Sequence, residues 1–173
     1  LPDGISDQQG ASMMLKGGTA QYLLRQTYDV KKGDTIVIHA AAGGVGLIVC
    51  QWAKHLGATV IGTVGSDEKA ALANAHGCDH AIVYSREDFV ARVKEITNGK
   101  GVPVVYDSVG KDTFMKSLDC LQPRGLMVTF GNASGPPDPL NLLILSQKGS
   151  LYVTRPTLGS YTPDHAGVMN VAN

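Results

Sequence analysis

Six short apolar runs punctuate the chain at intervals of twenty-odd residues: Thr35–His39, Thr59–Val64, Ala81–Tyr84, Val102–Tyr106, Leu126–Phe130 and Leu151–Thr154. They are rich in β-branched residues and show little alternation, as strands covered on both faces require. Between them the apolar positions recur at helical spacing over residues 45–56, 67–76, 88–97, 113–121 and 140–147. Gly57, Gly77 and Gly99 follow three of these segments, where a helix end takes a left-handed residue. Strand–helix alternation of this kind predicts βαβ units on a parallel sheet, an α/β fold of about six strands with helices on both faces.

The flanks read differently. Residues 6–28 are expected to be helical, with Ala11, Met14, Leu15, Tyr22 and Leu23 near helical spacing and Gly17-Gly18 interrupting. Ser134–Pro139 is a loop of Gly, Pro and Asp that neither helix nor strand can use. The division expected is a lead-in helical segment over residues 1–30, the sheet domain over 31–158, and a tail over 159–173. That tail has little periodicity and is expected to be poorly ordered or to belong with another part.

Composition narrows the picture. Fifteen Lys and Arg balance fifteen Asp and Glu, so no net field draws the chain to nucleic acid or an anionic membrane. No apolar stretch approaches the roughly 20 residues of a membrane span, and the first residues lack the regions of a signal peptide. Cys50, Cys78 and Cys120 are odd in number and far apart, and the five histidines show no ligand spacing. Free thiols in the cytoplasm are expected, with no disulfide framework and no metal site.

The chemistry concentrates at Ala40-Ala41-Ala42-Gly43-Gly44-Val45-Gly46, directly after the first strand and opening a helix. Set against G-x-G-x-x-G, the three positions are Ala41, Gly43 and Gly46. Gly43 and Gly44 allow a pyrophosphate to approach the backbone, and Gly46 lets helix and strand pack closely. The helix start adds unpaired N–H groups and a positive dipole end. A small-residue turn that merely joins strand to helix is the alternative; the flanking strands favour binding, in a Rossmann-type doubly wound sheet. No Gly-Lys-Ser/Thr follows, so a Walker loop is excluded.

The second strand speaks to cofactor choice. An NAD site places a carboxylate at its end to hold the ribose 2′-hydroxyl. Asp67 stands twenty-one residues past Gly46, but beyond Gly65 and Ser66, at the start of the next helix, where it also suits a cap. The strand end itself carries no acid, and Lys69 lies one turn into the helix. NADP is therefore favoured over NAD, the other reading being that Ser66 only caps and Lys69 is only solvated.

Together these residues resemble the zinc-independent medium-chain dehydrogenases/reductases, and within them the quinone oxidoreductases of the zeta-crystallin type. The similarity rests on Ala40–Leu47, Cys50–Lys54, Leu15–Ala20, Val104–Gly110, Gly125–Val128 and Lys148–Leu151. It implies NADPH-dependent reduction of a quinone or other small electrophile, with the cofactor in a cleft between this domain and a GroES-like catalytic domain that precedes it in the family. On that footing the chain is a cofactor domain, inactive alone. The resemblance puts Thr19 by the nicotinamide, Gly43, Gly44 and Val45 at the pyrophosphate, and Gly65, Ser66, Lys69 and Tyr84 around the 2′-phosphate. It puts Ser108, Val109, Phe130, Gly131 and Asn132 at the carboxyl edge of the sheet. It further implies a homodimer joined through the edge strand at residues 150–154. No residue is expected to act as proton donor or nucleophile, and none as metal ligand. Another zinc-free enone or enoyl reductase, a non-catalytic nucleotide-binding domain and a Rossmann methyltransferase remain as competing readings, the last disfavoured by Lys69 and the missing acid.

Overall fold

The computed structural model describes residues 3–172; the outermost residues of the expected lead-in and tail, Leu1, Pro2 and Asn173, lie outside them. Strands β1 (Thr35–His39), β2 (Thr59–Val64), β3 (His80–Val83), β4 (Val102–Asp107), β5 (Leu121–Thr129) and β6 (Tyr152–Thr154) form one sheet in the order β3-β2-β1-β4-β5-β6. Every pairing is parallel. The order reverses between β1 and β4, which opens a crevice at their carboxyl ends, where sheets of this class receive ligands.

Successive strand residues serve opposite faces. Ile36, Ile38, Val60, Val104, Tyr106 and Val128 pack with Val49, Cys50 and Ala53 of α2 (Gly44–His55) and with Leu23 and Leu24. Val37, Ile61, Ile82, Val105 and Met127 face Phe89 and Val93 of α4 (Phe89–Ile96) and Phe114 of α5 (Phe114–Ser117). α3 (Asp67–Ala75) contributes Ala73 to the first layer. Both faces are thus covered, which is why the strands read as continuous apolar runs.

The lead-in helix α1 (Asp7–Gln21) starts on a reciprocal capping box: Gln9 N–H donates to Ser6 Oγ and Ser6 N–H to Gln9 Oε1. Gly17-Gly18 does not interrupt it. Gly18 is buried, and a Cβ there would stand 3.1 Å from Val171, so Gly18 thins the helix where the tail crosses it. The last turn, Tyr22–Thr27, widens to π geometry, and Leu23 O accepts from both Tyr28 N–H and Tyr106 Oη.

Three further expectations need correction. The tail forms α7 (Leu158–Tyr161) and α8 (His165–Ala172). It is held by a Tyr22–Tyr161 ring stack at 4.5 Å, a Thr27–Tyr161 hydroxyl contact and a Gln21–Asn170 hydrogen bond. A few local contacts anchor it, so no periodic stripe marks it in the sequence. The helix expected over residues 113–121 ends at Ser117, followed by a 3₁₀ turn, and β5 begins early at Leu121 across a bulge where Arg124 takes φ +62. The helix α6 starts at Leu143 rather than at residue 140. Cys50, Cys78 and Cys120 are free and buried, and burial pushes the Cys120 thiol up to about 12.

Candidate functional site

β1 delivers the chain into the crevice at a left-handed Ala40, φ +52. The turn closes with Gly43 N–H on Ala40 O at 2.8 Å and Ala41 N–H on Thr63 O at 3.1 Å. Gly43 caps α2 with extended backbone and no side chain to occupy the helix start, and no acid lies in the first turn. The first N–H groups of α2 therefore lack intrahelical acceptors and present a positive end to the crevice. The two later glycines differ in kind. A Cβ on Gly46 would meet backbone, with Ala41 O at 2.7 Å, whereas one on Gly44 would meet only the Lys16 side chain, at 2.8 Å. Gly46 is required for the chain to close; Gly44 leaves a cradle.

Lys16, on α1, is a residue that sequence reasoning missed. Its stem lies across Gly44, and residues 40–53 contain no Lys or Arg. The signal available was that deficit: an anion at this turn needs a cation from elsewhere in the chain. Thr19, one turn further along α1, donates its hydroxyl to Leu15 O at 2.7 Å.

The second corner, at the end of β2, is built from side chains. Ser66 caps α3, its Oγ accepting from Lys69 N–H at 3.3 Å, which leaves the hydroxyl proton free to donate. Tyr84 is 55% exposed and follows β3. Its hydroxyl would lie 2.9 Å from a Cβ on Gly65, so glycine there makes room for it. Lys69 is exposed in the first turn of α3. Asp67 is gripped by the Arg86 fork at 2.7 and 2.5 Å, and that guanidinium holds its carboxyl below the usual range. Arg86 was not singled out from the sequence, since its relevance depends on β3 lying beside β2.

A polar row crosses the sheet beneath the crevice. His39 pairs with Thr63 in register, and Asp107 with Thr129. Asp107 is fully buried and accepts from Val109 N–H at 2.7 Å, Gly110 N–H at 3.1 Å and Thr113 Oγ1 at 2.8 Å, so it orders the β4 turn. Ser117 Oγ donates to Thr113 O at 2.8 Å and lies 2.8 Å from His39 Nε2. With that hydroxyl proton committed, Nε2 carries the ring proton, and Nδ1 accepts from Thr63 Oγ1 at 2.7 Å. Burial holds His39 neutral, pulling its pKa down against the opposing pull of Asp107. Ser108 and Val109 follow β4 and bond to the turn after β5: Ala133 N–H donates to Ser108 O and Ser134 N–H to Val109 O. A Cβ on Gly131 would stand 2.6 Å from Ser108 O.

The fold thus gathers Gly43, Gly44 and Val45 on one side of the crevice, and Ser108, Val109, Phe130, Gly131 and Asn132 on the other. Gly65, Ser66, Lys69 and Tyr84 form the adjoining corner, while Thr19 stands apart on α1. A cavity of about 350 Å³ opens between Tyr84 and the turn after β4, lined by His39, Thr63, Tyr84, Phe89, Val109 and Lys116 among others. Among the described residues no group of three or more His, Cys, Asp or Glu could hold a metal ion.

A profile described as "Zinc-binding dehydrogenase" matches residues 44–168. The chain is 65% identical over 171 residues to a quinone oxidoreductase of Pseudomonas aeruginosa, covering 98% of this chain and 53% of the relative. It is 56% identical over 165 residues to a 2-haloacrylate reductase of a Burkholderia species, 95% and 50% covered. The crystal structure of Escherichia coli quinone oxidoreductase complexed with NADPH superposes with a TM-score of 0.97 at 57% identity, over 100% of this chain and 53% of that one. The chain spans about half the length of the curated relatives it matches.

Proposed function

The chain belongs to the zinc-binding dehydrogenase family, and from that premise we propose that it is the NADPH-binding half of a quinone oxidoreductase. The glycine turn carries the reading: Gly44 leaves an open cradle over the bare N-terminus of α2, with Lys16 lying across it. The residues fit the cofactor. Gly43, Gly44 and Val45 would receive the pyrophosphate, with Lys16 as its counter-charge. Ser66, Lys69 and Tyr84 would hold the 2′-phosphate, and Ser108, Val109 and the 130–132 turn would flank the ribose and nicotinamide, with Thr19 beyond. The family's zinc does not fit, because no donor set for it exists among the described residues, and no step is assigned to it.

Bound NADPH supplies the hydride, and the protein's own part is to orient the cofactor and exclude water. The residues that would flank the ribose and nicotinamide include no acid or base, so none is assigned as catalytic. Substrate contacts would come chiefly from the remaining half of a full-length relative, so this chain alone is expected to bind NADPH but to reduce quinones negligibly. Fluorescence titration with NADPH and NADH tests the reading: NADPH is expected to bind the more tightly, and absence of binding by either overturns it.

The identity to a 2-haloacrylate reductase favours a second reading, hydride delivery to an electron-poor alkene. Turnover of a quinone against 2-chloroacrylate by the full-length protein separates the two. Assembly belongs to the same proposal. β6 lies at the edge of the sheet, its 61%-exposed Tyr152 near the exposed Leu142 and Leu143 in the chain, and an unpaired edge invites another strand. A two-fold dimer pairing residues 150–154 antiparallel would continue the sheet through both copies. Val153→Pro removes a ladder donor and is expected to release monomers in light scattering; a wild-type monomer at high concentration overturns the dimer. Buried free thiols suit the reducing cytoplasm.

A further inference from the structure

We propose that Arg86 sets cofactor choice by occupying the Asp67 carboxylate at the corner where the 2′-phosphate would sit. The inference rests on the NADPH reading above and names a determinant that neither the glycine turn nor Lys69 supplies. Asp67 opens α3, twenty-one residues beyond Gly46. A carboxylate near this position accepts from ribose hydroxyls in NAD sites, and the same negative charge repels a phosphate. Here both its oxygens are already engaged, at 2.5 and 2.7 Å, by the two terminal nitrogens of Arg86. Side-by-side pairing of this kind fixes direction as well as charge.

The placement makes the pair part of the corner. Arg86 follows Tyr84 by two residues on the loop after β3, and that loop turns back through an Arg86 N–H to Val83 O bond. Tyr84 in turn sets its hydroxyl against Gly65, next to the Ser66 cap. The first turn of α3 carries two acids, Asp67 and Glu68, and the cations beside them are Lys69 and Arg86; Glu87, next to Arg86 in the chain, is balanced by its own ion pair with Arg92. With Arg86 present the two signs balance. Without it two carboxylates face one lysine, and the corner turns negative toward a group that is itself near a dianion. Arg86 thus removes an NAD-type acceptor and cancels a repulsion in one contact.

Both side chains are largely exposed, Asp67 74% and Arg86 56%, so their substitution leaves the core intact. An exposed pair adds little to folding; its effect falls on the charged ligand. The test is equilibrium titration of the purified protein with NADPH and NADH for the wild type, Arg86→Ala, Asp67→Asn and the double variant, with circular dichroism as the folding control. Arg86→Ala is expected to weaken NADPH about five- to tenfold, the scale of one exposed charge, and to leave NADH within about twofold. Asp67→Asn alone should leave NADPH near wild type, and in the Arg86→Ala background it should restore most of the lost affinity. An unchanged NADPH-to-NADH ratio in Arg86→Ala overturns the proposal. So does a double variant as weak as Arg86→Ala, which would make Arg86 a direct phosphate ligand. A wild type with no preference for NADPH overturns instead the cofactor reading beneath it.

Discussion

The turns after β1 and β2 stand side by side at the same sheet edge, yet they are made of different material. The first is backbone: small residues, a bare helix start, and a glycine that no other residue can replace without striking Ala41 O. The second is side chains: a serine cap, a tyrosine from the loop after β3, a lysine, and an aspartate in the grip of a distant arginine. Backbone N–H groups are alike in every protein, so on the proposed reading the first corner would recognise only what all dinucleotides share. Side chains differ, so on the same reading discrimination between dinucleotides would fall to the second.

Substitutions can test that division, beginning with the largest effect. Gly46→Ala drives a methyl group into backbone carbonyls and is expected to cost about 3 kcal/mol of stability, the upper range for overpacking, read from the urea midpoint. Gly44→Val meets only a flexible lysine stem, so the fold should hold while both cofactors lose at least about a hundredfold in affinity through lost close approach. If Gly44→Val unfolds the protein instead, the two glycines are not separate in role. Lys69→Ala should weaken NADPH by about 1.5–3 kcal/mol, one charge-assisted contact, with NADH unmoved. Lys16→Ala should weaken both cofactors equally by a smaller factor. An NADPH-selective loss at Lys16 would blur the boundary between the corners.

The smallest effect concerns acid. The folded protein holds His39 neutral with its pKa depressed by burial, while the unfolded chain titrates near 6.5. The unfolded state therefore takes up the proton first, so stability is full above about pH 6.5 and declines as pH falls toward the folded value. The slope contributed is at most about 1.4 kcal/mol per pH unit. Urea midpoints measured from pH 7.5 down to 5 should show it, and His39→Gln should flatten it.

The same contrast explains what could be read from the sequence. Strand runs, the glycine turn and the helix ends at Gly57, Gly77 and Gly99 are local, so their spacing alone places them, and the sheet formed as expected. Ser66 and Lys69 were also visible, because cap and first turn adjoin a strand end. Lys16 and Arg86 were not. Each acts across a tertiary contact, α1 on α2 and the β3 loop on α3, that no period along the chain encodes. The bulged start of β5 and the tail helices escaped for related reasons. One depends on a single left-handed Arg124, the other on one tyrosine stack.

The three buried thiols carry a practical consequence. Cys50 on α2 and Cys78 just ahead of β3 lie against each other in one layer of the core, and Cys120 lies in the other layer beside β5, so they sample the two covers of the sheet. A thiol-specific reagent cannot reach any of them until its own region opens. Their labelling rates therefore serve as two clocks, one for each face of the sheet: equal rates report one concerted opening, and earlier labelling of Cys50 and Cys78 would show the α2 face loosening first, with no fluorophore or tag added.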